Sequence, residues 1–306
     1  MRIGTRGSEL ALTQSRHVRA LLGGSDADIP LETITTSGDR LAEASLSRIG
    51  GKGIFTKELE DALLAGRVDL AVHSLKDLPT ENPPGLILAA LLVREDPRDA
   101  LVSRDGLGLS ALPKGARIGT SSLRRRSQIL ARRPDVVVEE MRGNVPTRLR
   151  RVDEGRFDAV VLAVAGLRRL GLADRISETL EEEIMLPAPG QGVLAIQTRA
   201  DDVATIGAVR RLHDPVAAAE SAAERAFLAA LGGGCLVPVG ARGRATGETL
   251  HLAGFVGHPS GRPSVRRAAD GAMAAATEIG RALAEVVLAH GAREILAEVR
   301  SDEVFP

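Results

Sequence analysis

Two stretches of this chain repeat one another in the same order, and that repetition restricts its fold more than any other feature. Arg2-Ile3-Gly4-Thr5 leads through Gly7-Ser8 into a helical pattern with apolar Leu10, Ala11, Val18, Leu21 and Leu22, which Gly23-Gly24 stops. Arg117-Ile118-Gly119-Thr120 leads through Ser121-Ser122 into a second such pattern. Each reads as a short strand running into a Ser-capped helix. Downstream, Gly66-Arg67-Val68-Asp69 precedes Leu70-Ala71-Val72, and Gly155-Arg156-Phe157-Asp158 precedes Ala159-Val160-Val161-Leu162, as though a helix ending in Gly feeds a buried strand each time. The helix before the first copy shows Phe55, Leu59 and Leu63 at four-residue spacing; the one before the second opens at Asn144 with Pro146 in its first turn. Strand and helix alternate in both halves, so the expectation is two α/β lobes of similar plan, with ligands outside the carboxyl ends of the strands and a cleft between the lobes.

The length of 306 residues suits about two domains or three small ones. After about Pro215 the texture changes. Residues 216–231 form an Ala-rich helical stretch that runs into Gly232-Gly233-Gly234-Cys235; strand-like 236–241 and 250–256 follow, then a second Ala-rich helix around 272–290, together a small α+β domain. Linker candidates are Arg94-Glu95-Asp96-Pro97 and Leu186-Pro187-Ala188-Pro189-Gly190. The longest clean apolar run, residues 86–93, is far short of the ~20 that span a bilayer and reads as a buried strand. The chain reaches polar residues at once after Met1, without an apolar leader, so a cytoplasmic location is expected.

Forty basic and forty acidic residues cancel, and this neutral sum gives no global sign of a polyanionic partner. Locally the balance differs: residues 117–156 hold eleven Arg against five acids. A solvated basic face explains any one of them, particularly in a chain with 36 Arg and four Lys. Arg124, Arg125, Arg142 and Arg148 together say more. The first pair follows a Gly-Thr-Ser-Ser turn at a helix start and the second brackets Gly143-Asn144 at another, where free backbone N–H groups already favour an anion. Several guanidiniums there suit a polycarboxylate or phosphate ligand. Nucleic acid would satisfy the same charges, but Trp and Tyr are absent and only five Phe remain, which leaves almost no residues to build a stacking platform and counts against that reading.

Gly50-Gly51-Lys52-Gly53 lacks phosphate-loop spacing and reads instead as a mobile lid carrying Lys52 and Phe55. His73-Ser74-Leu75-Lys76-Asp77-Leu78-Pro79 follows a buried strand. His73 is read as a satisfied structural histidine, since a metal site would need further ligands that the sequence does not offer. Asp77 and Lys76 are better candidates, because strand ends in α/β folds display catalytic groups, although a lone carboxylate before a Leu-Pro turn can also be a structural cap. The single cysteine, Cys235, has no partner for an internal disulfide. A lone Cys is ordinarily a small buried filler. Three preceding glycines let backbone approach a ligand, which makes Cys235 also a candidate nucleophile or attachment point.

Taken together, eight ordered segments resemble the porphobilinogen deaminase (hydroxymethylbilane synthase) family. They are residues 2–12 (RIGTRGSELAL), 50–59 (GGKGIFTKEL), 69–79 (DLAVHSLKDLP), 119–125 (GTSSLRR), 142–149 (RGNVPTRL), 162–172 (LAVAGLRRLGL), 186–196 (LPAPGQGVLAI) and 224–239 around the cysteine. Gln14 stands where an aromatic is common in the family, and nothing after about residue 250 carries a matching motif.

The resemblance implies a monomeric transferase of tetrapyrrole biosynthesis in which Cys235 carries a dipyrromethane cofactor through a thioether. Four porphobilinogen molecules are added head to tail with loss of ammonia, and the linear tetrapyrrole hydroxymethylbilane is released. It also implies two lobes like type 2 periplasmic binding proteins plus the small C-terminal domain, with domain 1 at 1–93 and 190–214, domain 2 at 94–189 and domain 3 at 215–306. By the same matching Asp77 stabilises positive charge and moves protons near the pyrrole nitrogens, with Lys76 beside it. Ser122, Arg124, Arg125, Lys76 and Asp77 hold the cofactor; Arg6, Ser8, Lys52, Phe55, Arg142, Arg148, Arg169 and Gln191 meet substrate carboxylates. No metal, nucleic acid or membrane is implied. Two alternatives from other classes are a non-catalytic two-lobed binder of small anions, which leaves Cys235 unexplained, and an RNA-binding protein using the basic stretch.

Overall fold

Residues 1–40, 56–233 and 237–301 are described in a computed structural model of the chain. Their sheets are built from β1 (Ile3–Thr5), β2 (Leu31–Thr33), β3 (Leu70–Ser74), β4 (Leu86–Leu91), β5 (Asp99–Ser103), β6 (Arg117–Gly119), β7 (Val137–Glu139), β8 (Ala159–Ala163), β9 (Glu178–Leu180) and β10 (Leu194–Arg199). The chain divides into two units, residues 1–95 with 192–218 and residues 96–191 with 219–306. The first unit contains a sheet of order β2-β1-β3-β10-β4 and the second a sheet of order β7-β6-β8-β5-β9. The orders correspond strand for strand. In each, three strands run parallel, and an antiparallel fourth separates them from the edge.

The repeated Gly-Arg-x-Asp segments act alike in the two units. Gly66 and Gly155 take positive φ values of 67° and 71°, and their N–H groups donate to the carbonyls of Leu63 and Val152, closing the preceding helices. Three residues later an Asp carboxylate reaches the first strand. Asp69 Oδ2 accepts from the Arg2 N–H at 2.6 Å, and Asp158 Oδ2 accepts from the Arg117 N–H at 2.7 Å. The main chain answers with Asp69 N–H to the Arg2 carbonyl at 3.0 Å and Asp158 N–H to the Arg117 carbonyl at 2.9 Å.

β3 and β8 follow these clamps and are buried on both faces, as their unbroken apolar runs require. Leu70 and Val72 face a core with Ile3, Val18 and Ile196, while Ala71 faces Leu59, Leu63 and Val68. Val161 packs with Ile118, Ile129 and Leu101, while Val160 and Leu162 pack with Val102 and Leu149.

The run 86–93 differs from expectation. Its strand stops at Leu91, is only half-buried, and leaves Val93 73% exposed. β4 pairs only with β10 and lies at the edge of its sheet.

The C-terminal part has the helix Pro215–Ala230, an antiparallel sheet of β11 (Val239–Thr246), β12 (Thr249–Gly257) and β13 (Ser264–Ala272), and helices Ala276–Val287 and Arg293–Ser301. The second Ala-rich stretch, expected as a helix around 272–290, is helical from the 3₁₀ turn Met273–Ala275 through the α-helix Ala276–Val287; the strand β13 just before it was not expected. Alternating small and exposed residues hid β13, whose own burial pattern is largely exposed. Phe227, Leu252, Val256 and Leu283 form its core together with Leu123. Among the described residues no helix is long and apolar enough to cross a membrane.

Gly280 lets the helix Ala276–Val287 touch the neighbouring helix: a Cβ there would collide with the Ala223 carbonyl and crowd Ala226. Gly280→Ala is expected to lower stability by about 2–3 kcal/mol through overpacking, despite Ala's better helix propensity. Urea unfolding checks this; an unchanged or raised midpoint would show that the two helices separate freely.

Candidate functional site

In the first unit, β1 and β3 are parallel, so the residues that follow each of them emerge at one sheet edge. Past β1 come Arg6 and Ser8, and Ser8 caps the helix Glu9–Leu21 by accepting from the Ala11 N–H at 3.3 Å. Past β3, a single 3₁₀ turn over Leu75–Asp77 carries Lys76 and Asp77. Gln14 joins the two segments, its Nε2 donating to Ser74 Oγ at 3.0 Å. Leu75 is buried and anchors the turn in a cluster with Leu78, Val193 and Ala195, which leaves Asp77 exposed. The Asp77 carboxylate has no hydrogen-bond or ion-pair partner among the described residues.

His73 lies on β3 just before this turn, 6% exposed, its Nε2 without a hydrogen-bond partner among the described residues. Burial, aided by the nearby Arg6 charge and opposed by Gln197, pushes the imidazole down to about 4. It stays neutral at pH 7, and the unsatisfied Nε2 departs from the expectation of a satisfied histidine.

In the second unit, β6, β7 and β8 are parallel and the same edge gathers the predicted basic residues. Ser121 Oγ donates to the Met141 carbonyl at 2.8 Å, and Ser122 caps the helix Leu123–Arg132 by accepting from the Arg125 N–H at 3.4 Å. Beyond β7, Arg142 Nε pairs with Glu140 Oε1 at 2.9 Å, and its Nη2 is buried without a hydrogen-bond partner among the described residues. Asn144 caps the helix Val145–Asp153 through the Thr147 N–H at 2.9 Å, and Arg148 Nε donates to the Gly143 carbonyl at 2.7 Å. Arg169 ends the helix Val164–Arg169 that follows β8.

Arg124 and Arg125 do not spread over a surface. Both turn inward onto Asp99, which the sequence reading did not single out. Arg124 Nη1 donates to Asp99 Oδ2 at 2.6 Å; Arg125 donates to Oδ1 from Nη2 at 2.7 Å and Nε at 3.1 Å. Gln191 Nε2 donates to Asp99 Oδ1 at 3.0 Å and to the Pro97 carbonyl at 2.6 Å. Burial alone would push the Asp99 carboxyl up, but the two guanidiniums hold it well below the usual carboxylate range. Nothing local marks Asp99 in the sequence, since its partners lie 25, 26 and 92 residues away.

Lys52, Phe55 and Cys235 lie outside the described residues. No group of three or more His, Cys, Asp or Glu among the described residues could hold a metal ion.

Fold and strand-end chemistry together define a duplicated α/β protein with guanidinium-rich strand ends. Residues 1–207 match the family model "Porphobilinogen deaminase, dipyromethane cofactor binding domain", and residues 218–289 match "Porphobilinogen deaminase, C-terminal domain". The second match extends well past residue 250, where no motif is legible by eye. Proteins named porphobilinogen deaminase from Syntrophomonas wolfei (47% identical, 98% of this chain and 99% of that protein) and Roseiflexus sp. (50%, 96% and 98%) align nearly end to end. That of Geobacter metallireducens does the same at 48% identity, over 99% of this chain and 96% of the relative. Among solved structures, the Bordetella pertussis BvgS VFT2 domain overlaps 69% of this chain and 85% of its own at 15% identity and TM-score 0.41. The chain belongs to the porphobilinogen deaminase family, and its larger matched region is that family's dipyrromethane cofactor-binding domain.

A buried histidine held neutral makes stability depend on pH. The unfolded state takes up the His73 proton near pH 6.5 and the folded state only near pH 4, so this contribution is complete above pH 6.5 and is lost as pH falls through that window. Unfolding free energy is expected to drop by about 2 kcal/mol more between pH 7 and 5 in the native chain than in His73→Gln. Parallel urea titrations of the two would refute this by showing the same slope.

Proposed function

We propose that this chain condenses four porphobilinogen molecules head to tail, with loss of ammonia, into hydroxymethylbilane, primed by a dipyrromethane held on Cys235 through a thioether. The observation that carries the reading is what each unit's own strand end displays: in the first an exposed Asp77 carboxylate, in the second an Arg142 whose buried Nη2 is unsatisfied, each without a partner among the described residues. An orphaned buried guanidinium N–H is costly in isolation and fits a group bearing acetate and propionate carboxylates.

In this reading Ser122, Arg124, Arg125, Lys76 and Asp77 form the dipyrromethane site, with Cys235 as its attachment point; Arg125 serves it from within the protein, its three nitrogens engaged on Asp99 and the Val161 carbonyl. When bound, the cofactor supplies the pyrrole carbon on which the chain is extended. The guanidiniums and Lys52 neutralise substrate carboxylates, which fixes each pyrrole in position before reaction. Arg6, Arg142, Arg148 and Arg169 serve the substrate in the same way, Ser8 and Gln191 add neutral hydrogen-bonding groups to that set, and Phe55 belongs to a lid.

Asp77 acts where ammonia departs. As a carboxylate on a short, anchored turn it stabilises positive charge developing on the pyrrole and accepts the proton released at the new carbon–carbon bond. Lys76, the neighbouring residue on the same turn, meets ligand carboxylates. The reading includes a cytoplasmic monomer with domains at 1–93 and 190–214, 94–189, and 215–306.

Intact-protein mass of the native chain should exceed the sequence mass by one dipyrromethane, and Cys235→Ala should remove the excess; an unmodified but fully active chain would overturn the proposal. Asp77→Ala is expected to keep the added mass yet lose about 10²-fold or more in ammonia release from porphobilinogen. Unchanged turnover would reassign the proton-transfer role to another residue.

A further inference from the structure

We propose that Asp99 is the positioning residue for the Arg124 guanidinium, and that Arg125 and Gln191 act by bracing Asp99. The inference deepens the function proposed above and rests on it, in that Arg124 is taken as a contact for cofactor carboxylates.

Topology supplies the placement. β5 runs antiparallel to β8, so its first residue, Asp99, lies opposite Ala163, the last residue of β8. The start of β5 therefore shares the edge at which the parallel strands end and the helix Leu123–Arg132 begins. Asp99 is 0% exposed, Arg124 4% and Arg125 6%.

The hydrogen bonds divide the two arginines. All three Arg125 nitrogens are used inside the protein: Nε and Nη2 on Asp99, and Nη1 on the Val161 carbonyl at 2.8 Å. Arg124 commits only Nη1, which is shared between Asp99 and the Leu186 carbonyl at 2.7 Å. Its Nε and Nη2 make no hydrogen bond within the described residues.

Two guanidiniums against one carboxylate also leave the cluster with one positive charge in excess. A lone buried Arg side chain has many rotamers and a high desolvation cost; a carboxylate on Nη1 fixes its plane and offsets part of that cost. Asp99 thus holds one side of Arg124 and leaves the other for a ligand. Gln191 adds a neutral donor to the Oδ1 that Arg125 already occupies, which fixes the carboxylate in turn.

The test compares covalent loading in native chain, Asp99→Asn, Arg124→Lys, Gln191→Met and the Asp99→Asn/Arg124→Lys double variant, all from one expression host. Loading is read as the fraction of protein carrying the dipyrromethane mass, with thermal melting measured alongside. Arg124→Lys keeps the charge but loses the planar fork, so it should load partially. Asp99→Asn is expected to reduce loading about tenfold alone and less than about twofold further in the Lys background, because a residue acting through Arg124 is not additive with it.

Losses that multiply in the double variant, or native loading in Asp99→Asn, overturn the inference. If Asp99→Asn does not fold, Gln191→Met decides: it leaves both ion pairs and should lower loading about threefold, by removing the hydrogen bonds that tie Asp99 to the Pro97 carbonyl. Native loading in that variant overturns the inference equally. A native chain without added mass would instead overturn the proposed function itself.

Discussion

An Asp carboxylate capping the first N–H of a neighbouring strand is the contact on which each unit's geometry depends. Asp69 and Asp158 hold the beginnings of β1 and β6 level with those of β3 and β8. With starts aligned and lengths of three and five residues, these parallel strands also finish near one another. Their finishing edge is where Ser8 and Ser122 open helices and where Lys76, Asp77 and Arg142 stand. Binding chemistry at this edge is thus a by-product of register: groups distant in sequence meet because their strands began together.

Within this framework the protein uses arginine as an interior building material. Arg125 ties β8 to β5 through the Val161 carbonyl and Asp99, and Arg133 reaches the carbonyls of Leu109 and Leu112. In the C-terminal part Arg242 lies among Glu182, Glu220 and Glu224, and Glu224 itself is fully buried. A planar guanidinium with five donors can satisfy a carboxylate and a carbonyl at once, which an ammonium does less well. The neutral total charge is consistent with this: many of the arginines are matched to particular carboxylates rather than displayed as a field.

Features carried by neighbours along the chain were legible. The glycines at 66 and 155, the caps at Ser8, Ser122 and Asn144, and the apolar runs of β3 and β8 all act within a few residues, so spacing reveals them. The strand order did not follow from spacing, because nothing in Leu194–Arg199 says that it inserts between β3 and β4. Residues 94–97, read as a linker on composition, span the division between the two units, but spacing gave no sign that Asp96 pairs with Arg98 and Arg168 or that Asp99 accepts from Arg124, Arg125 and Gln191. Likewise Asp77 could be placed at a strand end from sequence, but its exposure goes with the burial of Leu75 on the same turn, which spacing does not show. Ion pairs between distant segments leave no periodic trace, and this is why the arginines were legible as a group and their individual partners were not.

The position of β10 has a consequence for how the chain is made. β3 and β4 never pair with each other; β10 lies between them and supplies every sheet hydrogen bond that β4 makes. During synthesis β4 therefore leaves the ribosome roughly a hundred residues before the strand that completes its sheet, and all of β5 to β9 is translated in the interval. The second unit's sheet, whose strands all lie between residues 99 and 180, can close first. The N-terminal unit is then the later of the two sheets to finish, although its first residue is the first to emerge.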